Sequence, residues 1–220
     1  MVYTDIQELR GLDSPVDYDS GIEYADGLLS MSSSVGLQIG LWLNGTAGCR
    51  DIVRGRLQKQ IQWLFQYLVD ECRASKVFLR VGYEFDNPDF GYAQDPAMYR
   101  QAFSFLVREC AKFHSCSSKI AFVWHSWAAG LPPMSTLSDF YPGDEYVDWV
   151  GISLFSQLYT KKNHFKLGDR TSVQQVIDFA RLHKKPIMIA ESTPFGGIPS
   201  LSDPWNAWFE PIIDLIERND

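Results

Sequence analysis

The chain has 220 residues, of which 45% are hydrophobic and 21% charged, so it can bury a sizeable core and is not expected to be disordered. Its formal net charge of −7 disfavours a nucleic acid partner, because an acidic surface repels a phosphate backbone. No apolar run is long enough to span a membrane, and the first residues lack the basic and apolar regions of a signal peptide. Aromatic residues reach 14%, more than a core needs, and flat rings are suited to stacking on sugars.

Short apolar runs alternate with longer amphipathic stretches along the chain. The predicted strands are Met1–Ile6, Gly36–Leu43, Val77–Tyr83, Ile120–Ser126, Trp149–Leu154 and Pro186–Ala190. The predicted helices are Gly21–Ser32, Ile52–Cys72, Pro96–Phe113, Ser172–His183 and Pro204–Arg218. This alternation predicts an α/β fold, in which a parallel sheet is covered by helices within a single domain. An open doubly wound sheet and a closed (β/α)8 barrel both fit the order.

Polar and aromatic side chains collect near the carboxyl ends of nearly all the predicted strands. They include Tyr3, Asp5, Trp42, Asn44, Glu84, Asp86, Asn87, Trp124, His125, Trp127, Phe155, Gln157 and Glu191. Functional residues contributed by the ends of several strands are typical of the upper face of a barrel. The glycine-rich phosphate loops of nucleotide-binding sheets and the GxSxG motif of serine hydrolases do not occur, which disfavours an oxidoreductase or serine hydrolase on an open sheet.

Two glutamates at strand ends are the candidate catalytic pair. Glu84 follows a strand in which alternation places Arg80 and Gly82 on the same face, and Glu191 ends an otherwise apolar strand. A buried carboxylate needs a partner, and Arg80 is the obvious one for Glu191, whose pKa it would lower. Glycoside hydrolysis requires one carboxyl group held protonated and a second one held ionised.

The remaining candidates are the tryptophans and the cysteines. Trp42, Trp124 and Trp127 lie at strand ends and are candidate sugar contacts, whereas Trp63 is expected in the core. The four cysteines form no CxxC pair and the four histidines no metal-binding motif, so we predict no metal and no cofactor. Cys72 and Cys110 are expected to pack as small hydrophobic residues, with a Cys110–Cys116 disulfide as the alternative.

Four segments resemble the retaining (β/α)8 glycoside hydrolases of clan A, and most closely those of glycoside hydrolase family 26, which includes β-mannanases and β-1,3-xylanases. The segments are RVGYEFD (80–86), VWHSW (123–127), YPGDEYVDWVGIS (141–153) and PIMIAES (186–192). The resemblance implies a retaining endo-glycosidase that acts on a β-linked polysaccharide of the mannan, xylan or glucan class. It also implies an extracellular location. The partner that we expect is a polysaccharide or oligosaccharide substrate, with no nucleic acid and no membrane, and the protein is expected to act as a monomer.

Carried over residue by residue, the resemblance makes Glu84 the acid/base and Glu191 the nucleophile, which Arg80 would steady. Tyr83 stands where family 26 has a histidine and many clan relatives have an asparagine, so it leaves the family assignment and the substrate open. Tyr159 is the candidate for the tyrosine that relatives place against the nucleophile. The substrate-binding candidates are Trp42, Asp86, Asn87, Trp124, His125, Trp127 and Tyr159.

The strand count predicts an incomplete barrel. When the four segments are matched to the family, Met1–Ile6 corresponds to the second barrel strand, and the chain ends in the helix after the seventh strand. The six strands begin at intervals of about 37 residues, and eight such units would need about 300 residues, within the usual range for the fold. We therefore expect a single catalytic domain, 1–220, truncated at both ends. A non-catalytic or degenerate carbohydrate-binding barrel is the alternative function.

Overall fold

The computed structural model of the chain describes residues 1–18, 21–31, 35–155, 170–194 and 196–220. The strands in these ranges are β1 (Val2–Asp5), β2 (Val16–Asp17), β3 (Ile22–Glu23), β4 (Gly36–Trp42), β5 (Lys76–Val81), β6 (Ile120–Ser126), β7 (Trp149–Leu154) and β8 (Ile187–Ser192). The α-helices are α1 (Ala25–Ser30), α2 (Gly45–Val53), α3 (Gln58–Gln66), α4 (Pro96–Cys110), α5 (Cys116–Lys119), α6 (Leu137–Phe140), α7 (Arg170–Leu182) and α8 (Glu210–Glu217).

Six strands form one parallel sheet in the order β1–β4–β5–β6–β7–β8, and β2 pairs with β3 in a separate antiparallel hairpin. The six sheet strands are the six predicted from sequence, and their order along the sheet is their order along the chain. The hairpin was not predicted, because strands of two residues are too short to show a period. Consecutive parallel neighbours joined by helical connections are the repeating unit of a (β/α)8 barrel.

The sheet curls into a half-barrel, and a single hydrogen bond demonstrates the curvature. Gln38 on β4 donates its side-chain amide to the carbonyl of Ala190 on β8 over 2.8 Å. These strands are four positions apart in the sheet, which would separate them by about 19 Å if the sheet were flat. A glutamine cannot span that distance, so the concave faces of β4 and β8 must approach each other. Within the described residues β1 and β8 each have one sheet neighbour, and the barrel is open between them.

The predicted helix Ile52–Cys72 is wrong in its extent. The structure divides this region into α2, which begins earlier at Gly45, and α3, which continues as a π-helical turn over Tyr67–Glu71. Gly55 lies at the break with a φ of +72°. This left-handed conformation ends α2. The apolar spacing continues past Gly55, and for that reason it predicts a single helix.

The helix predicted over Pro96–Phe113 is confirmed as α4, and its sequence explains both its start and its packing. Asp95 accepts a hydrogen bond from the backbone amide of Met98 at 3.0 Å, and Pro96 occupies the first turn, where its missing donor has no cost. Tyr99, Phe103 and Leu106 form a fully buried stripe against the outer face of the sheet.

A disulfide between Cys110 and Cys116 joins the end of α4 to α5. The expectation that Cys110 packs as a free hydrophobic residue is therefore wrong, and the alternative pairing holds. The five intervening residues turn back on themselves, which brings the two Cα atoms to 5.7 Å. Cys72 is free and buried, as predicted. In the described part of the chain no helix is long and apolar enough to cross a membrane.

We predict that replacing both Cys110 and Cys116 with alanine lowers the free energy of unfolding by about 2 kcal/mol, because the short covalent loop no longer restricts the unfolded chain. Urea unfolding of the two proteins measures the difference. Dithiothreitol should lower the wild-type midpoint toward that of the variant and leave the variant unchanged. Equal midpoints without reductant would contradict the prediction.

Candidate active site

A cavity of about 580 Å³ opens at the carboxyl ends of the sheet strands, where the resemblance places the active site. It is walled by aromatic rings and contains two glutamates. The lining residues are Tyr3, Thr4, Asp5, Tyr18, Trp42, Tyr83, Glu84, Phe90, Phe155 and Glu191. An apolar cleft with a few convergent carboxyl groups is the usual form of a small-molecule or sugar site.

Glu191 reaches the cavity through an irregularity in β8. The register moves from Ile152 opposite Ile189 to Ser153 opposite Glu191, so Ala190 is an extra residue in the ladder. The carboxylate Oε1 of Glu191 accepts a hydrogen bond from Nη1 of Arg80. The Arg80 side chain is fully buried, whereas 15% of the Glu191 side chain is exposed. The predicted partnership of Arg80 with Glu191 is thus present in the structure, with the carboxylate open to the cleft.

Glu84 lies in a strained backbone segment immediately after β5. Its φ is +51°, a conformation that non-glycine residues rarely adopt and that costs on the order of 1–3 kcal/mol. Gly82 also has a positive φ, of +56°, and a Cβ there would lie 2.7 Å from the ring of Tyr99. The chain therefore turns sharply in a space that only glycine fits, and this turn directs Glu84 into the site.

The carboxylate of Glu84 is held at both oxygens. Ser153 on β7 donates its hydroxyl to Oε1 at 2.7 Å, and Asn87 donates its side-chain amide to Oε2 at 3.1 Å. The pKa of Glu84 is raised to about 7, mainly by burial and also by the charges of Glu191 and Asp86. The bonds from Ser153 and Asn87 oppose this rise but do not cancel it. Glu84 is therefore a carboxyl group that can be protonated near neutral pH.

The two carboxylates approach closely. Glu84, Glu191 and His125 each contribute one atom to a group in which all the atoms lie within 4.8 Å of one another. Such spacing could also suit a small cation. However, Arg80 already donates hydrogen bonds to Oε1 of Glu191 and to Nδ1 of His125. The guanidinium therefore supplies the positive charge that a cation would bring. The geometry thus gives one ion-paired and one protonatable carboxyl group, side by side.

His125 is buried beneath the cleft and not exposed within it. Its Nδ1 lies 3.3 Å from Nη1 of Arg80 and its Nε2 lies 3.0 Å from Oγ of Ser153. Burial and the nearby guanidinium hold the pKa of His125 well below its usual value, so the ring is neutral. Its predicted direct contact with substrate is wrong in this structure, because none of its surface is exposed.

Two further predictions of substrate contact are contradicted by burial. Trp124 is fully buried on the helix side of the sheet, where it stacks on Phe85 at 4.2 Å and donates its indole N–H to the carbonyl of Phe140. Asp86 is also buried and accepts bonds at 2.6 Å from the hydroxyl of Ser126 and the backbone amide of Trp127. Both side chains secure the ends of β5 and β6 and do not contact the cleft.

The remaining predicted site residues differ in where they lie relative to the cavity. Trp42 and Tyr83 line the cavity, and their rings lie 6.1 Å apart. Asn87 supports Glu84, and Trp127 is partly buried beside Asp86. Tyr159 lies outside the described residues.

Three residues near the two glutamates were not predicted from the sequence: Tyr3 beside Arg80 and Glu191, and Phe90 and Tyr18 in the cleft wall. The Tyr3 ring lies 5.0 Å from the Arg80 guanidinium, and the charges of Arg80 and Glu191 both act on its hydroxyl. Burial, first of all, raises the pKa of Tyr3 far above its usual value, so the hydroxyl remains a donor. The position of Tyr3 in a predicted strand is a usable signal, whereas Phe90 ends a short 3₁₀ turn and Tyr18 follows a two-residue strand, and neither segment is long enough to show a period.

The raised pKa of Glu84 predicts a pH dependence of stability. A carboxyl group with a pKa of 4.5 in the unfolded chain and about 7 in the folded protein favours folding below pH 4.5, and this contribution is lost as the pH rises through 7. The loss amounts to about 3 kcal/mol. Glu84→Gln should remove this part of the pH dependence in urea unfolding between pH 4 and pH 8.

Glu71→Gln is a control for that measurement, because Glu71 is exposed outside the site. Groups common to all three proteins cancel when the pH profiles are subtracted. Identical profiles for wild type and Glu84→Gln would refute the assignment of a raised pKa to Glu84.

A comparison with known protein-family models finds no match. Over 235 aligned positions the chain is 27% identical to a β-1,3-xylanase from Alcaligenes sp. and 26% identical to the β-1,3-xylanase TXYA from Vibrio sp.. These alignments cover 99% of this chain but 47% and 48% of the relatives, so the chain spans about half the length of the curated relatives it matches.

Among solved structures, a family 26 β-mannanase from Bacteroides ovatus superposes with a TM-score of 0.52 at 13% identity. The superposition covers 79% of this chain and 55% of that enzyme. At this identity the likeness shows the fold alone. The relatives in sequence and the neighbour in fold agree with the resemblance predicted from the four segments. The chain is thus similar in sequence to β-1,3-xylanases and similar in fold to a family 26 glycoside hydrolase.

Proposed function

We propose that the chain is a retaining endo-glycosidase that hydrolyses a β-linked polysaccharide of the xylan, mannan or glucan class. The single observation that carries the proposal is the approach of Glu84 and Glu191 to within 4.8 Å in opposite environments. Retaining glycosidases hold their two carboxyl groups about 5–5.5 Å apart, whereas inverting enzymes leave about 6.5–9.5 Å for a water molecule. The short separation therefore favours a double displacement over direct attack by water.

In the first step, Glu84 donates its proton to the glycosidic oxygen while the bond from that oxygen to the anomeric carbon breaks. A carboxylate oxygen of Glu191 forms a bond to the same carbon, which gives a covalent glycosyl-enzyme. In the second step, Glu84 takes a proton from water as the water oxygen attacks that carbon and releases Glu191. The pair with Arg80 supports the role of Glu191, because a nucleophile must be ionised.

The first substrate to test is β-1,3-xylan, since both curated relatives are named as β-1,3-xylanases. The cleft is open and aromatic, with Trp42, Tyr83 and Phe90 in mutual ring contact, a wall suited to stacking on successive sugar rings. The Cys110–Cys116 disulfide supports an extracellular location, because disulfides persist in oxidising compartments. We infer that polysaccharide is the partner of this chain, which acts as a monomer.

A carbohydrate-binding role without turnover is the second candidate. It is favoured by the position of two site residues, since Tyr3 lies on β1 and Glu191 lies on β8, and each of these strands has one sheet neighbour within the described residues. Strands that are held on one side open more easily than those in the centre of a sheet. The aromatic cleft could then bind sugar while the carboxylates are too loosely placed for catalysis.

Release of reducing sugar separates these two functions. We expect activity on β-1,3-xylan, β-mannan, β-1,4-xylan or β-glucan, with a decrease in kcat of at least about 10²-fold in Glu84→Ala and Glu191→Ala. With an activated aryl glycoside and azide, Glu84→Ala should give the β-glycosyl azide and Glu191→Ala the α-glycosyl azide, because azide replaces water in the first case and the nucleophile in the second. Binding without release of sugar by the wild type would favour the second candidate.

Trp42, which is partly buried in the cavity wall, and Trp124, which is fully buried, provide a matched pair. Trp42→Phe should raise KM for the polysaccharide by roughly 5-fold, because it shortens a cleft wall, and should change stability little. Trp124→Phe should leave KM unchanged and lower the free energy of unfolding by about 1–3 kcal/mol, because the carbonyl of Phe140 loses its donor and the ring contacts shrink. Steady-state kinetics and urea unfolding measure both. An increase in KM for Trp124→Phe would contradict the placement of Trp124.

A further inference from the structure

The acid/base Glu84 is connected to the pair Arg80 and Glu191 by a chain of hydrogen bonds through His125 and Ser153. We propose that Ser153 and His125 are a positioning pair, in which His125 fixes the Ser153 hydroxyl as a donor to Oε1 of Glu84, so that Glu84 carries and delivers its catalytic proton on Oε2. This inference rests on the proposed role of Glu84 as acid/base and adds two residues and a defined oxygen to it.

The donor and acceptor of each hydrogen bond in this series are determined by the Arg80 guanidinium at its end. The guanidinium of Arg80 has donors only, so Nδ1 of His125, 3.3 Å from Nη1, must accept. The ring is neutral, and its one proton is therefore on Nε2. Nε2 lies 3.0 Å from Oγ of Ser153 and donates to it. The single hydroxyl proton of Ser153 is then left for Oε1 of Glu84, at 2.7 Å.

Reversal of this chain is opposed by the buried guanidinium. If Oε1 of Glu84 carried the proton and donated to Ser153, the serine would have to donate to Nε2 of His125. The ring would then hold its proton on Nδ1, directed at the donors of Arg80. Two donors facing each other in a site with no exposed surface on either residue are strongly unfavourable. Oε1 therefore remains an acceptor in both protonation states of Glu84.

The second oxygen of Glu84 is constrained less tightly. Asn87 donates to Oε2, and the orientation of this amide is fixed because its Oδ1 accepts from the backbone amide of Asp89 at 3.1 Å. A carboxyl oxygen that accepts one such bond still has a lone pair that can hold a proton. Proton transfer breaks the O–H bond at Oε2 and forms one at the glycosidic oxygen, and the return transfer from water restores it at Oε2.

Loss of the Ser153 bond should raise the pKa of Glu84, because that bond stabilises the ionised form. Among the described residues, the other titratable or charged groups around Glu84 are Glu191 on β8, Asp86 in the same loop, His125 on β6, Arg80 and Tyr83 at the end of β5, and Tyr3 on β1. The variants below leave Glu191, Asp86, Arg80, Tyr83 and Tyr3 in place, so a change in the titration of Glu84 reports on the positioning pair.

Two substitutions at His125 form a matched control. Glutamine places an amide N–H near the position of Nε2 and can still donate to Ser153, whereas asparagine reaches only the position of Nδ1 and cannot. We expect Ser153→Ala and His125→Asn to raise the pKa of Glu84 by about one unit, and His125→Gln to change it by less than half of that. The double variant Ser153→Ala/His125→Asn should show no further rise, because both changes remove the same bond.

The carboxyl-carbon NMR titration of Glu84 in the unliganded protein measures these shifts, with the signal assigned by its absence in Glu84→Gln. The basic limb of the pH profile of kcat/KM should move upward by the same amount. Glu84 titrations that follow this pattern in a protein without glycosidase activity would refute the proposed function and leave the pair standing.

Activity with a Glu84 pKa that is unchanged in Ser153→Ala and His125→Asn would overturn the pair and leave the function standing. Equal effects of the asparagine and glutamine variants would overturn it as well. If Ser153→Ala does not fold, the comparison of the two His125 variants decides the question alone.

Discussion

The buried pair of Arg80 and Glu191 is the interaction on which the site depends. Arg80 has no exposed surface, and a cation buried in this way is tolerated only if anions, acceptors and aromatic faces surround it. Glu191 supplies the opposite charge, His125 supplies an acceptor, and the rings of Tyr3 and Tyr83 lie 5.0 and 5.4 Å from the guanidinium carbon. Removing either member of such a pair would leave an uncompensated buried charge and cost about 3–5 kcal/mol.

The curl of the sheet is what allows one side chain to contact so many strands. Arg80 extends from β5, and its partners lie on β1, β6 and β8. In a flat sheet these strands would be spread over more than about 20 Å. In the half-barrel the concave faces converge, and the Arg80 side chain fills the space between them. The same curvature also brings the side-chain amide of Gln38 within hydrogen-bonding distance of the Ala190 carbonyl. Fold and site are therefore coupled, because the charge pair needs the curvature and also joins β5 to β8 across it.

Strand alternation predicts the charged pair, and it also excludes one of the predicted pairs of substrate contacts. Arg80 and Glu191 were placed correctly, because a charge on an apolar strand must find a partner on the concave face. Trp124 and His125 are adjacent residues of one strand, so they cannot both face the cleft. Alternation turns His125 toward Arg80 and Trp124 toward the helices, and the prediction that both contact substrate conflicted with the same rule that placed Arg80.

Other features could not be predicted from the sequence, for identifiable reasons. The turn that directs Glu84 depends on positive φ at Gly82 and at Glu84 itself, and glutamate gives no signal of such a conformation. The extra residue at Ala190 changes the facing of Glu191 without any glycine or proline to mark it. Phe90 enters the cleft from a short 3₁₀ turn, Pro88–Phe90, where neither period applies. These omissions fall where the backbone departs from regular strands and α-helices, whereas Tyr3, which was also missed, lies on the regular strand β1.

The two carboxyl groups of the site are held by different means, and this difference fits their proposed roles. Glu84 is fixed through both oxygens by Ser153 and Asn87, on a strained segment next to the central strands of the sheet. Within the described residues Glu191 lies on a strand with one sheet neighbour, β7, so its position depends also on its ion pair with Arg80. A group that transfers a proton in both steps must keep one orientation, whereas a nucleophile must move toward the anomeric carbon and back. Support of Glu84 through both oxygens and support of Glu191 by an ion pair are therefore compatible with the proposed double displacement.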